Sequence, residues 1–330
     1  MVQCKACGVT LRQGARFCDM CGTKVEKICP NCGEVLRDQA KFCDLCGVKL
    51  PLTKLVSAPK PVKGSVCAGR LHTVALRTDG TLLATGDNQF GQCDVDQWTD
   101  IVAVAAGKYH TVGVRSDGTV VAAGDRSFGQ CSLEDWTDIV AVAAGDKHTV
   151  GLRTDGTVVA AGRDSSGKCS LEGWKGIVAI AAGMDHTLGL TREGNVVAAG
   201  EGLFGSCAVG SWSAITAIAA GHIHTIGIRR DGRVLEADGF AAPGVTEWTD
   251  IAAVAVSPFH TVGLKTDGTV LASGDIQYGQ CDVDQWTEIT AVAAGERHTV
   301  AVKADGSLVA AGDNEAGQCR VEDWKLWDEA

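Results

Sequence analysis

The 330-residue chain is poor in several residue types that shape other classes of fold. It has two Tyr, three Met, seven Phe and six Pro, against 42 Gly. No stretch approaches the roughly 18 consecutive apolar residues that a membrane helix needs. Beyond residue 64, no segment has the 3.6-residue apolar spacing of an amphipathic helix. These absences argue against a helical membrane protein and against a helical fold for the larger part of the chain.

Positive charge is scarce beyond residue 63. Residues 1–63 hold 11 Lys/Arg and 5 Asp/Glu, a balance of +6, whereas residues 64–330 hold 19 and 35, a balance of −16. We expect the acidic part to repel nucleic acids and anionic membranes. The N-terminus has no apolar run behind a charged start, so we expect no secretory signal and a cytoplasmic protein. Its fifteen cysteines are then expected to be reduced or metal-bound rather than disulfide-linked.

Eight cysteines form four CxxC pairs within the first fifty residues, and the second two pairs repeat the first two after 25 residues. Two CxxC pairs supply four thiolates at the spacing of a tetrahedral zinc site, which predicts two structural Zn²⁺ ions. Each half has few apolar residues, so zinc binding is expected to be coupled to folding. Redox activity of the CxxC pairs is the weaker alternative, because no βαβ pattern surrounds them. The predicted ligands are Cys4, Cys7, Cys18, Cys21, Cys29, Cys32, Cys43 and Cys46.

Residues 3–50 resemble the double zinc-ribbon modules of many multidomain proteins. The resemblance implies a treble-clef-like or ribbon-like pair that is used for contacts, with no fixed partner. Nucleic acid is an alternative partner for residues 1–50 alone, since Arg12, Arg16, Arg37 and Lys41 could form a basic face. Eight thiolates and two Zn²⁺ add −4, which lowers the balance of +6 to about +2 and favours an ordinary solvated surface.

Residues 51–63 contain three of the six prolines, at positions 51, 59 and 61. Such a segment is typical of an extended linker. The predicted organisation is therefore a zinc-ribbon pair over 1–50, a linker over 51–63 and a repeat domain over 64–330.

Histidine and tryptophan recur at a nearly constant interval in the repeat domain. The interval is 38 residues, except for 36 between His224 and His260. A fixed period of this length indicates one structural unit that is stacked or closed into a ring. The recurring residues are His72, His110, His148, His186, His224, His260 and His298, with Trp98, Trp136, Trp174, Trp212, Trp248, Trp286 and Trp324.

Residues 98–135 illustrate the unit. Ile101–Ala106 is predicted as an innermost strand, His110–Arg115 as a second and Thr119–Ala123 as a third, with an Asp-Gly turn between the last two. A short final extended piece leads to Trp136. Three to four antiparallel strands repeated seven times predict an all-β fold, a seven-bladed β-propeller preceded by the small zinc-ribbon module. An open β-solenoid is the alternative.

The recurring pattern A-G-x-x-H-T, followed by D-G and G-x-x-x-x-G-Q, resembles the regulator of chromosome condensation repeat family over residues 64–324. Members of that family include guanine-nucleotide exchange factors, a plant UV-B photoreceptor and β-lactamase inhibitor proteins. The resemblance implies a propeller that grips a protein partner. The photoreceptor's chemistry is not implied, because its tryptophan within the G-x-x-H-T motif has no counterpart here.

The invariant positions of the repeat are predicted to be structural. We expect each His to bond backbone groups at the start of its strand. We expect each Trp to fill the gap between consecutive blades, with Trp324 closing the ring. The recurring cysteines are expected to be buried and unpaired, since they lie in different blades. They are Cys93, Cys131, Cys169, Cys207, Cys281 and Cys319.

The variable positions are the candidates for function. Strand parity places the loop before each His and the loop after each third strand on one face, the top face. Aromatic residues among charges of both signs suit protein binding, although the aromatic rings could instead fold back as local core. The predicted partner-binding residues are Phe90, Lys108, Tyr109, Phe128, Phe204, His222, Phe259, Tyr278 and Arg297.

One unit departs from the pattern. After Asp231-Gly232 the chain lacks Gly-Gln-Cys and is two residues shorter, which indicates either a specialised edge of the binding face or drift.

No non-repeated nucleophile–base pair, phosphate loop or open metal site supports an enzyme. The favoured function is a non-enzymatic adaptor with a monomeric propeller that binds a protein partner and no membrane. The alternatives are a nucleic-acid-associated regulator acting through the zinc ribbons, and an exchange factor or enzyme inhibitor as the family resemblance implies.

Overall fold

The structure, a computed structural model, describes residues 64–202, 205–237 and 242–327, together with the backbone of two short paired strands, β1 (Lys27–Ile28) and β2 (Val35–Leu36). The chain divides into two compact units, Met1–Lys54 and Leu55–Ala330. The predicted zinc ligands, the linker and Phe204 lie outside the described residues. Within the described residues, no helix is long and apolar enough to cross a membrane.

Residues 65–312 form seven antiparallel sheets of three strands each, in chain order. We number these sheets as blades 1 to 7. The strands, blade by blade, are β3 (Ser65–Ala68), β4 (His72–Leu76) and β5 (Leu82–Gly86); β6 (Ile101–Ala106), β7 (His110–Arg115) and β8 (Val120–Gly124); β9 (Ile139–Ala144), β10 (His148–Arg153) and β11 (Val158–Gly162); β12 (Ile177–Ala182), β13 (His186–Thr191) and β14 (Val196–Gly200); β15 (Ile215–Ala220), β16 (Thr225–Arg229) and β17 (Val234–Glu236); β18 (Ile251–Val256), β19 (His260–Lys265) and β20 (Val270–Gly274); β21 (Ile289–Ala294), β22 (His298–Lys303) and β23 (Leu308–Gly312). A 3₁₀ turn covers Val245–Glu247.

The predicted all-β, seven-bladed β-propeller is confirmed. Within the described residues, each blade has three strands and no fourth. The segment from Asp125 to Trp136 bonds locally, as in the contacts from Ser132 N to Gly129 O (3.0 Å) and from Trp136 N to Leu133 O (3.0 Å). The expected final extended piece is therefore a series of turns. The middle strand of each blade is buried, as β7 shows, because neighbouring blades cover it on both sides.

Tryptophan lies between consecutive blades, as predicted. Trp98 packs with Val74 and Leu76 of blade 1 and faces Gly113 of blade 2. A Cβ atom at Gly113 would lie 3.0 Å from the Trp98 ring, so glycine at this position provides room for the ring. The segment that carries Trp98, which we call the linker between blades 1 and 2, also joins the two blades through the backbone, because Ile101 N donates to Gly80 O (3.0 Å).

The histidines link neighbouring blades through their side chains, which corrects the prediction that they bond backbone groups. The Nε2 atom of each of six histidines lies 2.8–3.1 Å from a threonine Oγ1 in the next blade. Where the full network is described, that threonine hydroxyl donates to a main-chain carbonyl, as Thr111 does to Gln92 O at 2.7 Å. The histidine must then carry its proton on Nε2 and donate it to the threonine. The pairs are His72–Thr111, His110–Thr149, His148–Thr187, His186–Thr225, His260–Thr299 and His298–Thr73.

The ring closes where blade 7 meets blade 1. Leu326 N donates to Gly306 O (2.9 Å), and Leu326 O accepts from Thr78 N (3.1 Å). Leu326 thus makes both backbone contacts. Between blades 1 and 2, two residues make the equivalent contacts: Ile101 N donates to Gly80 O, and Asp100 O accepts from Ser116 N. Trp324 packs with residues of blades 1 and 7, as predicted.

The recurring cysteines are unpaired, as predicted, but only Cys131 is fully buried. The others are half-buried, with their thiols near main-chain carbonyls, such as Cys93 Sγ at 3.4 Å from Asp87 O. Burial raises the pKa of Cys93 and Cys319 to about 12, so both remain neutral thiols. They belong to the blade structure rather than to nucleophilic chemistry.

Candidate functional site

In six of the seven blades, the two variable loops are seen to lie side by side, as strand parity predicted. Asp125 N donates to Tyr109 O (2.9 Å) and Asp275 N donates to Phe259 O (2.8 Å), which joins the loop after the third strand to the loop before the histidine. We keep the name top face for the surface that these loops form. The variable side chains on it fall into three aromatic–cation clusters and one polar group at the axis.

The first cluster connects blades 7, 1 and 2. Arg70 forms an ion pair with Glu296 (2.8 Å), and its Nη1 donates to the Tyr109 hydroxyl (2.5 Å). The ring centroids of Tyr109 and Phe90 are 5.2 Å apart and inclined by 53°. Phe90 is 50% exposed, so it is not local core. The salt bridge and the ring contact hold Tyr109 in one position at the edge of this cluster.

The second cluster is centred on Phe128, which is 40% exposed. Lys147 Nζ lies 4.6 Å and Arg163 Cζ 5.6 Å from its ring centroid. Both cations are thus in the range of a cation–π interaction. Among the described residues, neither has a carboxylate within salt-bridge distance. The cluster therefore presents an apolar ring with two uncompensated positive charges.

The third cluster joins blades 6 and 7. Arg297 donates to the Tyr278 hydroxyl (2.9 Å) and lies 4.6 Å from the centroid of that ring. On its other side it lies 5.7 Å from the ring of Phe259, which is 42% exposed. The two aromatic rings thus hold the Arg297 guanidinium in one position.

A polar group lines the cavity at the propeller axis, to which all seven blades contribute residues. Lys108 Nζ is 3.1 Å from Asp146, and His222 Nδ1 is 3.7 Å from the same carboxylate. Lys108 Nζ also lies 5.9 Å from the Tyr109 ring, which connects this group to the first cluster. The structure thus brings eight of the nine predicted residues to one face, and Phe204 lies outside the described residues.

The sequence did not point to three residues that lie on this face or directly beneath it. Arg163 replaces the aspartate found as Asp87 and Asp125 in the first two blades, and this departure from the repeat was the available signal. Ile276 is 72% exposed. Lys168 replaces a repeated glutamine, is 1% exposed, and bonds Met184 O (2.8 Å) and Asp185 (2.6 Å).

One serine–histidine contact has the residue types of a catalytic pair, but both of its side chains are buried and engaged in other contacts. Ser257 Oγ is 2.8 Å from His260 Nδ1, and both residues are buried. His260 Nε2 is engaged with Thr299 at 2.8 Å. Burial lowers the pKa of His260 to about 4. Because both ring nitrogens are occupied and the serine is covered, the pair is suited to shaping the loop rather than to attacking a substrate.

Two family models match parts of the chain. Residues 4–47 match the double zinc ribbon. The regulator of chromosome condensation (RCC1) repeat matches six segments, and the blade it leaves unmatched is blade 5, the shortened unit. The matched segments are 65–92, 101–130, 139–168, 177–206, 251–280 and 289–318.

Solved structures share the propeller fold at low sequence identity. The ectodomain of the receptor kinase CR4 from Physcomitrella patens is 19% identical, with a TM-score of 0.62 over 76% of this chain and 73% of that one. The CRINKLY WD40 ectodomain of the receptor kinase ACR4 from Arabidopsis thaliana is 20% identical, with a TM-score of 0.59 over 76% of this chain and 96% of that one. No curated protein matches the chain.

Proposed function

The chain belongs to the regulator of chromosome condensation (RCC1) repeat family, and on that premise we propose that it is a non-enzymatic adaptor whose propeller binds a protein partner through the top face. The observation that carries this proposal is the set of three aromatic–cation clusters on that face. Tyrosine and arginine are the residues most enriched among those that dominate binding energy at protein interfaces.

The charges of these clusters indicate the chemistry of the partner. The chain carries a net charge of −10, yet Lys147 and Arg163 stand beside Phe128 without a carboxylate partner in the described structure. A partner with carboxylates beside apolar side chains would complement this arrangement. Cation–π contacts contribute about 0.5–1 kcal/mol each at exposed sites, which keeps the cations in place before binding.

Alanine substitution tests this proposal. Tyr109→Ala and Phe259→Ala remove the aromatic rings of the first and third clusters, and each should weaken partner binding by about tenfold or more, the loss expected of an interface anchor. Gln97→Ala, at an exposed position in the linker between blades 1 and 2, is the matched control and should bind normally. Affinity pull-down with the full chain measures the result. Unchanged recovery of every partner by both aromatic variants would refute the proposal.

The N-terminal module is proposed as a second contact region that holds two structural zinc ions. The donor set fits zinc, since eight cysteines in four CxxC pairs supply two sets of four thiolates. Native mass spectrometry should find two zinc ions per chain. Cys4→Ser removes one ligand of the first set and should lower the count to one, while Cys93→Ser in the propeller should leave it at two. A wild-type chain purified with excess zinc that binds fewer than two ions would contradict the assignment.

A further inference from the structure

Blade 3 departs from the repeat at two linked positions of its top-face loop. In blade 1, the Asp87 carboxylate accepts from Gln92 Nε2 at 3.1 Å, across the loop that follows the third strand. Blade 3 has Arg163 at the position of Asp87 and Lys168 at the position of Gln92, so cations replace both members of an acid–amide pair. The other blades whose loop keeps the G-x-x-x-x-G pattern have an acidic residue at the first of these positions: Asp87, Asp125, Glu201, Asp275 and Asp313.

The two cations of this loop have different surroundings. Lys168 is buried, and its Nζ contacts Met184 O (2.8 Å) and the Asp185 carboxylate (2.6 Å), so its charge is neutralised within the fold. The same contact engages Asp185, the acidic side chain that the neighbouring blade places beside this loop. Arg163 is exposed, and its Nε donates to Ser165 Oγ (3.0 Å), a neutral acceptor. That hydrogen bond orders the side chain and neutralises no charge.

Arg163 shares the exposed ring of the second cluster with Lys147. Lys147 Nζ lies 4.6 Å and Arg163 Cζ 5.6 Å from the Phe128 centroid, so two positive charges stand beside one apolar surface. The acidic neighbour Asp164 is engaged elsewhere, because its Oδ1 accepts from Cys169 N (2.8 Å) and its Oδ2 from the Ser170 hydroxyl (3.3 Å). In the part of the chain that the structure describes, no salt bridge reaches either cation. The second cluster is therefore open to an anion from outside the chain.

The composition of the second cluster indicates which anion fits it. A guanidinium binds phosphate oxygens in pairs, and a phosphorylated side chain carries a charge of about −2 on three acceptor oxygens. One phosphate therefore matches both cations, whereas a single carboxylate neutralises only one. The Phe128 ring offers a packing surface to an apolar residue next to the phosphate. Extended polyanions are disfavoured, because residues 64–330 carry a balance of −16.

We propose that the second cluster binds a phosphoserine or phosphothreonine of the protein partner. Arg163 and Lys147 donate to the phosphate oxygens, and Phe128 packs against an apolar side chain next to the phosphorylated residue. This inference rests on the proposed protein-binding function and names the chemistry of one contact with the partner. It makes recognition at the second cluster depend on phosphorylation of the partner.

Calorimetric titration of synthetic peptides into the full chain tests the site. The probe is the peptide Ala-Gly-Leu-phosphoserine-Leu-Gly-Ala, and two comparison peptides carry Ser or Glu in place of phosphoserine. The probe should bind, and both comparison peptides should bind at least tenfold more weakly, because neither carries the doubly charged phosphate. Absence of binding up to millimolar probe, or equal binding of the Glu peptide, would overturn the proposal.

Variants of the full chain assign the contacts to residues. Arg163→Asp introduces the residue that blades 1 and 2 have at this position, and it should weaken probe binding at least tenfold, as should Lys147→Ala. Phe128→Ala should weaken it severalfold. The matched controls should bind normally: Lys175→Ala removes an exposed charge from the linker between blades 3 and 4, and Phe90→Ala removes an exposed ring at the same loop position in blade 1. Probe binding that Arg163→Asp and Lys147→Ala leave unaltered would overturn the proposal.

Further measurements separate this inference from the adaptor function and from other phosphate-bearing ligands. If phosphatase treatment of the lysate leaves pull-down of the partner unchanged while Tyr109→Ala loses it, the top face binds the partner and the phosphate site is wrong. If neither Tyr109→Ala nor Phe259→Ala loses the partner, the adaptor proposal fails whatever the peptide does. Binding of phosphatidylserine vesicles or of a single-stranded oligothymidine that is tighter than that of the probe, and that Arg163→Asp abolishes, would assign the cations to a phosphodiester and overturn the inference.

Discussion

At the residue scale, the propeller depends on neutral histidines. Burial lowers the pKa of the ring histidines to about 3 or about 4, against an ordinary value of 6.5. A protonated imidazole would carry a buried charge between two blades. The histidines thus serve as fixed hydrogen-bond donors to threonine. Acidic pH should break these hydrogen bonds, because it protonates the imidazole rings. The six with these values are His72, His110, His148, His186, His260 and His298.

We predict acid unfolding well above the range of ordinary carboxylates. Because the folded pKa lies below the unfolded one, the unfolded chain binds more protons, so stability is full above pH 6.5 and is lost as the pH falls toward 4. At pH 5 each histidine removes about 2 kcal/mol, and six together on the order of 10 kcal/mol. That loss is comparable with the whole stability of a typical domain. Urea unfolding followed by tryptophan fluorescence between pH 8 and pH 5 measures it; a constant midpoint would contradict the assignment.

Glycine opposite tryptophan gives a second residue-scale prediction. A Cβ atom at Gly151 would lie 2.6 Å from the Trp136 ring, too close for any side chain. Gly151→Ala should therefore destabilise the protein by roughly 1–3 kcal/mol through overpacking. Gly210→Ala is the control, because nothing lies within 4 Å of its added Cβ and its effect should be small. Thermal denaturation compares them, and equal Tm values for the two variants would argue against the tight packing.

At the element scale, the sequence was sufficient to predict the three strands of each blade and the turns between them. The predicted bounds of β6 and β7 agree with the structure, and β8 is shifted by one residue, because the repeat presents the same apolar pattern seven times. The prediction of a final extended piece was wrong. Apolar residues such as Leu133 are buried there in turns, whose hydrogen bonds join residues only a few positions apart. Apolar spacing in so short a segment does not distinguish turns from a strand.

The histidine–threonine links could not be predicted from the repeat. His72 and Thr111 are 39 residues apart, because each of the six linked histidines bonds the threonine that follows the next histidine in the ring. A periodic sequence does not show whether such a pair forms within one unit or between two. The irregular blade was visible in the sequence, as the unit that is two residues shorter between His224 and His260.

The closing segment gives the element-scale prediction. Deleting residues 325–330 removes Leu326, which is 1% exposed and makes backbone contacts to both terminal blades. The loss of its buried side chain and two hydrogen bonds should cost roughly 3–5 kcal/mol. Deleting residues 328–330 alone leaves every described contact of Leu326 in place and should have little effect. Matching Tm values for the two truncations would contradict closure through Leu326.

At the scale of the whole molecule, repetition and its exceptions have separate roles. The repeated His, Thr, Trp and Gly positions build a closed ring, and they are buried or partly buried between blades. The residues that vary are collected at the top face, where Phe90, Phe128 and Phe259 are exposed beside cations. A ring of this kind keeps its scaffold constant while the loops of one face change, which suits recognition of a particular partner.

The most direct test of this account is site-specific photo-crosslinking in cells, with a photoreactive amino acid placed at position 128 or 259 on the top face, or at control position 97 or 175 in the exposed linkers. If the top face is the binding surface, both top-face positions should capture the same partner protein and neither linker position should. Capture of that protein from positions 97 and 175 but not from 128 and 259 would contradict the assignment of the top face as the binding surface.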